Sequence, residues 1–444
     1  MKNFKLSVGL VLLICCTFSS VGYAQSMPDS LSMSLDECLE YAIENSITLK
    51  KAKLEIDNSK ASELAAKGAF LPTIAGSVGQ SVSSNPFMES SEVAKSSYNG
   101  SYGIDLSMNL YNGGKNKATL DKSKVSSEIS YLELSEYANT IEVAVTEVYI
   151  EILYAIEQID VCKTSLELSV KNEERGKAFL DAGSINSVDY AQLESAKASA
   201  QYDLIVAQSS LSNYYVTLKH LLEISQELTL NVKTPEYLDE SLLSIISTVS
   251  DVYNAALLSR PEIQSSKLYI TSAELDESIA KAGYLPTLKL TAGTGINHST
   301  ASDYSFSNQL RDNFSTSAGL TLSIPIFSNY ENKTAVSKAK NNIQIAALNL
   351  SETEKDLYQT IETLHNNATN AQAKYAVAEM QLLASEKSMN LTSQQYELGM
   401  KNTIELLTEQ DNYIQSFQEY LINKYQLLYN KAILNYYKTN KIKL

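Results

Sequence analysis

Residues 35–72 of this chain close on Phe70-Leu71-Pro72, and residues 249–286 close on Tyr284-Leu285-Pro286. At that offset of 214, Ala42 matches Ala256, Lys53 matches Lys267, Leu54 matches Leu268, Glu63 matches Glu277, and Ala66-Lys67 matches Ala280-Lys281. Further along the offset is 216: 103–107 (Gly-Ile-Asp-Leu-Ser) matches 319–323 (Gly-Leu-Thr-Leu-Ser), Leu110-Tyr111 matches Ile326-Phe327, and Asn116-Lys117 matches Asn332-Lys333. A duplicated unit of more than 200 residues constrains the fold more than any local motif, because both halves must build the same elements. The two extra residues fall between Pro286 and Gly319, where an insertion belongs in a loop.

Each unit reads as a helix of roughly 40 residues ending at Leu-Pro, two short strands joined by a polar loop, a very long helix, a Gly-containing turn, and a second long helix. With only 16 Gly and 7 Pro in 444 residues, the chain lacks the turn punctuation of an ordinary α/β enzyme. The stretch from Gly113 to Ala182 spans about 100 Å at helical rise. Within it Ile141, Val145, Val148, Ile152, Ala155, Ile159, Cys162 and Leu166 are spaced alternately four and three apart. Their partners at offset 216 are Leu357, Ile361, Leu364, Ala368, Ala371, Tyr375, Ala378 and Leu382. A 3.5-residue period imposes knobs-into-holes packing. The period alone fits a soluble four-helix bundle as well.

The strands separate the two architectures. Over 98–110 one face carries Tyr98, Gly100, Tyr102, Ile104, Leu106, Met108 and Leu110; the other carries Asn99, Ser101, Gly103, Asp105, Ser107 and Asn109. Residues 314–326 repeat the alternation, and partner strands near 74–82 and 288–296 alternate less strictly. Such strands, apolar on one face and small-polar on the other, fit an outer-membrane barrel with lipid outside and water inside. A sheet packed on a helical core competes with this reading, but an exposed sheet face ordinarily carries Lys and Glu. Edges cannot stay unpaired in lipid. Four strands per chain therefore call for oligomers, and three copies give 12 strands.

Lys2 and Lys5, the apolar run from Leu6 to Phe18, and Gly22 with Ala24 read as a signal peptide, residues 1–24, cleaved after Ala24. The apolar run is too short to span a membrane comfortably. Cleavage moves the formal charge from −15 to −17. An acidic balance argues against nucleic acid as a partner. Cys38 and Cys162 fall in helical patterns and read as small buried apolar residues rather than a disulfide. The three His lie far apart, and no phosphate-binding loop, His-Glu-x-x-His, Cys-x-x-Cys or Gly-x-Ser-x-Gly occurs. No catalytic residue, metal or cofactor is assigned, and the chain reads as a non-enzyme.

The duplicated unit, the Leu-Pro before each first strand, 109–114 (Asn-Leu-Tyr-Asn-Gly-Gly) and 324–327 (Ile-Pro-Ile-Phe) at the strand-to-helix junctions, and Leu398-Gly399-Met400 at the helix turn together resemble the TolC-type outer-membrane efflux proteins. The resemblance covers essentially the whole mature chain, with Asn109 as a departure where the second unit has Pro325. It implies a mainly α fold with a membrane β-barrel portion: a homotrimer whose 12-stranded barrel continues into an α-helical periplasmic tunnel. It also implies a periplasmic adaptor (membrane fusion) protein and an inner-membrane pump as partners. The expected organisation is a first repeat over 25–248, with strands near 73–83 and 98–111. A second repeat over 249–444 carries strands near 287–297 and 314–327. The expected function is a passive exit duct embedded in outer-membrane lipid, serving tripartite efflux or type I secretion. A non-conducting structural coiled-coil protein of the envelope is the alternative.

The loops at 85–97 and 298–313 are expected outside the cell. The turns at 182–186 and 398–402 are expected at the periplasmic tip. Gly183 and Gly399 suit the left-handed position after a helix, and the resemblance implies that Gly183, Ser184, Gly399 and Met400 meet the adaptor. Asp189 and Glu405, again 216 apart, become carboxylate rings in a trimer if they face the tunnel. Tyr396 and Lys401 occupy the positions where the family holds its inner helices closed, with Asp189 and Glu405 as candidate acceptors. The first repeat has Leu180 and Ile185 there, so only one hairpin carries this latch. A solvated helix end accommodates the same four residues.

Overall fold

The computed structural model describes residues 30–84, 96–225, 227–235 and 242–443. The signal-peptide reading for 1–24 lies outside them, as does 85–95 of the first inter-strand loop. In chain order the elements are β1 (Ser30–Met33), α1 (Leu35–Asn45), α2 (Ile47–Gly68), β2 (Thr73–Ser84), β3 (Ser96–Asn112), α3 (Lys115–Asp181), α4 (Ser187–Leu221) and β4 (Thr229–Val232). They continue as α5 (Val249–Ser259), α6 (Pro261–Ala282), β5 (Thr287–Ser299), α7 (Phe306–Asp312), β6 (Ser315–Ser323), α8 (Glu331–Glu397) and α9 (Thr403–Thr439).

The duplication is visible atom by atom. Asn116 donates to the Ala69 carbonyl at 2.8 Å and Asn332 to the Gly283 carbonyl at 2.6 Å. Lys67 pairs with Glu63 at 2.7 Å and Lys281 with Glu277 at 2.9 Å. Gly113-Gly114 and their counterparts Asn329-Tyr330 all take positive φ at the strand-to-helix junction. Hairpin β2–β3 pairs Thr73 with Ser107, and β5–β6 pairs the equivalent Thr287 with Ser323. Equal registers put the two extra residues in the β5–β6 connection, which contains α7.

Three expectations are corrected, and one pair of strands is new. The expected 40-residue helix is two helices in each repeat, broken at Ser46 and at Arg260. Pro261 forces Arg260 into the extended region, ψ 128°; Ser46 takes ψ 125° without a proline and caps α2 by accepting from the Leu49 amide. The strand expected over 314–327 stops at Ser323, which pairs with the first residue of β5, Thr287, just as the β2–β3 pairing ends at Thr73 and Ser107. β3 runs on to Asn112 because its other edge pairs with β5, Asn109 with Lys289 and Asn112 with Thr287. The 298–313 segment is not all loop, since His298 and Ser299 still belong to β5 and α7 follows. Finally, β1 and β4 form a parallel pair, Ser30 beside Thr229, that the sequence reading did not contain.

The core follows the period. Along α3 and α8 the seam residues are buried, except Ile141, Leu166, Leu364 and Leu382, which are half-buried. The main apolar cluster joins α1, α3, α4, α8, α9 and the β1–β4 pair around Tyr149, Ile152, Leu218 and Leu427. Cys38 and Cys162 are buried free thiols. Each 67-residue helix is about 100 Å long.

Candidate functional site

The four-stranded sheet has the order β2-β3-β5-β6 and is antiparallel throughout. Cross-strand partners share a face, so Ile74, Leu106, Ala292 and Ala318 lie on one side, with Val78, Tyr102 and Ile296 beyond them. Ile74, Val78, Ile104, Leu320 and Leu322 on this face are each more than half exposed. The other face carries Ser, Thr, Asn and Gly with two formal charges, Asp105 and Lys289, the only ones in the four strands. Asp105 lies over Gly293, where an added Cβ would come within 2.8 Å of its carboxylate. At one end of the apolar face His298 is ringed by Tyr98, Tyr102 and Phe306, with centroids at 5.7, 6.0 and 4.9 Å. Among the described residues no helix is long and apolar enough to cross a membrane.

The second candidate site is the pair of helix turns at the far ends of α3 and α8. Gly183 has φ 69° and Gly399 φ 70°. Ser184 N–H reaches the Phe179 carbonyl and Met400 N–H the Gln395 carbonyl, both at 2.8 Å, which closes each helix with the same left-handed motif. Asn186 then caps α4 by accepting from the Val188 and Asp189 amides at 2.8 and 2.9 Å. Asn402 caps α9 by accepting from Glu405 N–H at 2.9 Å, while the Glu405 carboxylate accepts from Asn402 N–H at 3.1 Å. Asp189 and Glu405 thus hold the same first-turn position, where the helix dipole favours an anion. Ser184 and Met400 are exposed at the turns.

Of the expected latch, the structure joins Lys401 to Glu405, at 2.5 Å within one hairpin. That bond, then the Asn402 amide, lowers the Glu405 pKa below the ordinary carboxylate value. Tyr396 is buried; its hydroxyl lies 3.4 Å from that of Thr403 and its ring 5.7 Å from Phe179 of α3. Among the described residues no hydrogen bond or ion pair joins Asp189 to Tyr396 or Lys401.

Sequence reasoning missed the ties beside them. Arg175 of α3 meets Glu397 of α8 at 2.5 Å. Glu173 accepts from Tyr190 at 2.6 Å and pairs with Lys197 at 3.2 Å, which binds α3 to α4 and lowers the Glu173 pKa. Deeper in the seam Asn172 donates to Gln410 at 2.8 Å and Gln410 to Ser169 at 2.8 Å, all three buried. A signal for this layer existed: Leu406, Gln410 and Tyr413 continue the four-three spacing on α9, with a polar residue in an apolar seam. Among the described residues no group of His, Cys, Asp and Glu is arranged to hold a metal ion.

The family model for outer membrane efflux proteins matches this chain twice, over residues 38–222 and 252–435. The outer membrane efflux protein BepC of Brucella suis is 22% identical over 389 residues, 87% of this chain and 80% of that protein. The outer membrane protein TolC of Salmonella enteritidis is 21% identical over 308 residues, 65% of this chain and 60% of that protein. Among solved structures, a CusC channel superimposes with a TM-score of 0.79 at 17% identity, covering 90% of this chain and 91% of that one. The Campylobacter jejuni CmeC outer membrane channel gives 0.76 at 19%, covering 90% and 84%. The double match falls on the two repeats read from the sequence and the fold agrees along their length, so the chain belongs to the outer membrane efflux protein family.

Proposed function

We propose that three copies of this chain form the outer-membrane exit duct of a tripartite efflux or type I secretion machine. The observation that carries this is the sheet. It has an exposed apolar face, a small-polar face and two edges that pair with no further strand among the described residues, and it is joined to helices of about 100 Å. Three sheets of four strands close a 12-stranded barrel, with Ile74, Val78 and Leu320 toward lipid and Asp105 toward water. The His298 aromatic group and α7 then sit at the outer rim, and the turns at Gly183 and Gly399 form the periplasmic tip. The mature chain divides at 248/249, after a leader over 1–24.

Conduction is passive. An inner-membrane pump supplies the energy and a periplasmic adaptor meets the tip around Ser184 and Met400. This chain carries out no catalytic step. Asp189 and Glu405 ring the tip opening, and the Lys401–Glu405 pair with the contact between the Tyr396 and Thr403 hydroxyls holds the second hairpin closed. A purely structural coiled-coil role does not account for amphipathic strands. Reconstitution in planar bilayers tests the reading. Ion conductance is expected, and it should rise when Tyr396→Phe is combined with Lys401→Ser. A properly folded protein that never conducts, with or without those substitutions, refutes it.

A further inference from the structure

Where α3, α4 and α9 meet, an open cavity of about 410 Å³ has four tyrosines and two carboxylates on its wall. Glu147, Glu151 and Tyr154 come from α3, Tyr214 from α4, and Tyr425 and Tyr429 from α9. On α3 a spacing of four and three puts the three residues on one face, away from Val145, Tyr149 and Ile152 of the main apolar cluster. The volume falls in the range of small-molecule sites. Among the described residues no Lys, Arg or His lines the cavity. Lys424 lies 5.7 Å from the Tyr425 ring, but it is already tied to Glu157 at 3.2 Å.

Glu147 and Glu151 stand one turn apart on the same helix face, a repulsive spacing for like charges, and among the described residues no salt bridge reaches either. Burial, and then Glu147, push the Glu151 carboxyl above its ordinary value. Burial also raises Tyr154 and Tyr214, and burial followed by Glu147 takes Tyr429 up to about 12. The phenols therefore stay neutral. Tyr154 and Tyr425 meet edge to face, with centroids 6.0 Å apart and planes at 73°, so the wall presents rings in more than one orientation. The duplication shows that the helices do not require this set. At offset 216 the counterparts of Glu147, Glu151 and Tyr154 on α8 are Thr363, Asn367 and Asn370, and those of Tyr425 and Tyr429 on α4 are Ser209 and Asn213. One repeat builds these helical positions from small neutral polar side chains and the other from rings and carboxylates, so packing alone does not account for the choice.

We infer that this cavity binds an organic cation, an ammonium group on an apolar body, held by Glu147 and Glu151 against the tyrosine rings. Aromatic faces attract a cation that has shed its water, and an alkylated ammonium sheds water readily while its carbon surface packs on the rings. A metal ion does not fit the same description, since among the described residues no group of His, Cys, Asp and Glu is arranged to hold one. The cation offsets the repulsion between the two carboxylates, and the four rings select for an apolar body over a small hydrated ion. The site goes beyond the duct reading and does not depend on it.

Benzyltrimethylammonium, a quaternary ammonium carrying one phenyl ring, is the probe. Titrated calorimetrically into the purified protein in non-ionic detergent, with detergent alone as the blank, it should bind once per chain with a Kd below about 1 mM. Benzenesulfonate, of similar size and opposite charge, should give no saturable heat. Glu147→Gln combined with Glu151→Gln should weaken binding roughly tenfold or more at unchanged helix content; should the pair cost helix content, Glu151→Gln alone is read, with a loss of roughly threefold expected. Tyr429→Leu keeps an apolar side chain and both charges but removes a ring, and should also weaken binding roughly threefold. No saturable binding of the ammonium up to about 10 mM, equal binding of benzenesulfonate, or unchanged affinity in the folded carboxylate variant overturns the site. Unchanged affinity in Tyr429→Leu overturns the part given to the rings. The titration needs no membrane, so its failure is distinct from a failure to conduct.

Discussion

Replacing Gln410 by alanine should loosen the packing of α9 on α3 near the helix turns without unfolding the chain. Gln410 sits at an apolar seam position, accepts from Asn172 and donates to Ser169, both at 2.8 Å and both buried. Two such bonds contribute about 1 kcal/mol each, and a buried amide left without a partner costs about 1–3 kcal/mol. Ser169 can turn its hydroxyl back to its own helix, but the Asn172 amide cannot. The net cost is therefore about 3 kcal/mol, roughly a hundredfold in a local opening constant. Hydrogen exchange followed at residues 165–172 and 407–413 measures that constant. The stronger test is Asn172→Leu combined with Gln410→Leu, because removing both partners of a buried bond is nearly neutral where removing one is not. Exchange accelerated less than tenfold in Gln410→Ala, or a double variant as fast as the single one, refutes this account of the layer.

Glu405 is held below the ordinary carboxylate pKa by Lys401 and then by the Asn402 amide. Its contribution is complete above the ordinary value of 4.5 and is lost as pH falls through the lowered one. Tip conductance should accordingly rise only below about pH 4.5 and lose that step in Glu405→Gln; a step near pH 6 speaks against it. Arg260 is buried with its guanidinium 4.5 Å from the Tyr436 ring and 3.9 Å from the Tyr437 ring. Arg260→Lys should lower stability by about 2 kcal/mol in thermal unfolding, because an ammonium cannot stack flat between rings; wild-type melting in that variant contradicts the role. Cys38 is buried, which pushes its thiol up to about 12. Neither cysteine should react with maleimide until the protein is denatured, as mass spectrometry can check.

The duplication, the two long helices of each unit and the apolar strand face were legible because each repeats a period dictated by backbone geometry. The breaks were less so. Pro261 marks one; Ser46 is a favoured N-cap residue, but a lone serine within a helical pattern punctuates far less than a proline. The β1–β4 pair was invisible because four-residue strands carry little pattern and their partner lies nearly 200 residues away. At the tip the sequence located Tyr396, Lys401, Asp189 and Glu405 but gave no direction to their side chains. Tyr396 faces Phe179 because the α8 seam continues to the end of the helix, a matter of helical phase across the turn. Arg175 and Glu397 meet across 222 positions, a long-range contact no local spacing encodes.

The central pairing of the sheet, β3 with β5, has a consequence for biogenesis. Hairpin β2–β3 closes within a short segment, whereas the nearest β3–β5 pair, Asn112 with Thr287, waits for a loop of roughly 175 residues and about 2 kcal/mol more closure free energy. A chain emerging from its amino end therefore presents one edge of an apolar hairpin for the whole time that α3 to α6 are being delivered. The order of export makes that edge the moment of greatest exposure to aggregation, and a holdase acting on the first hairpin would govern yield more than one acting on the second.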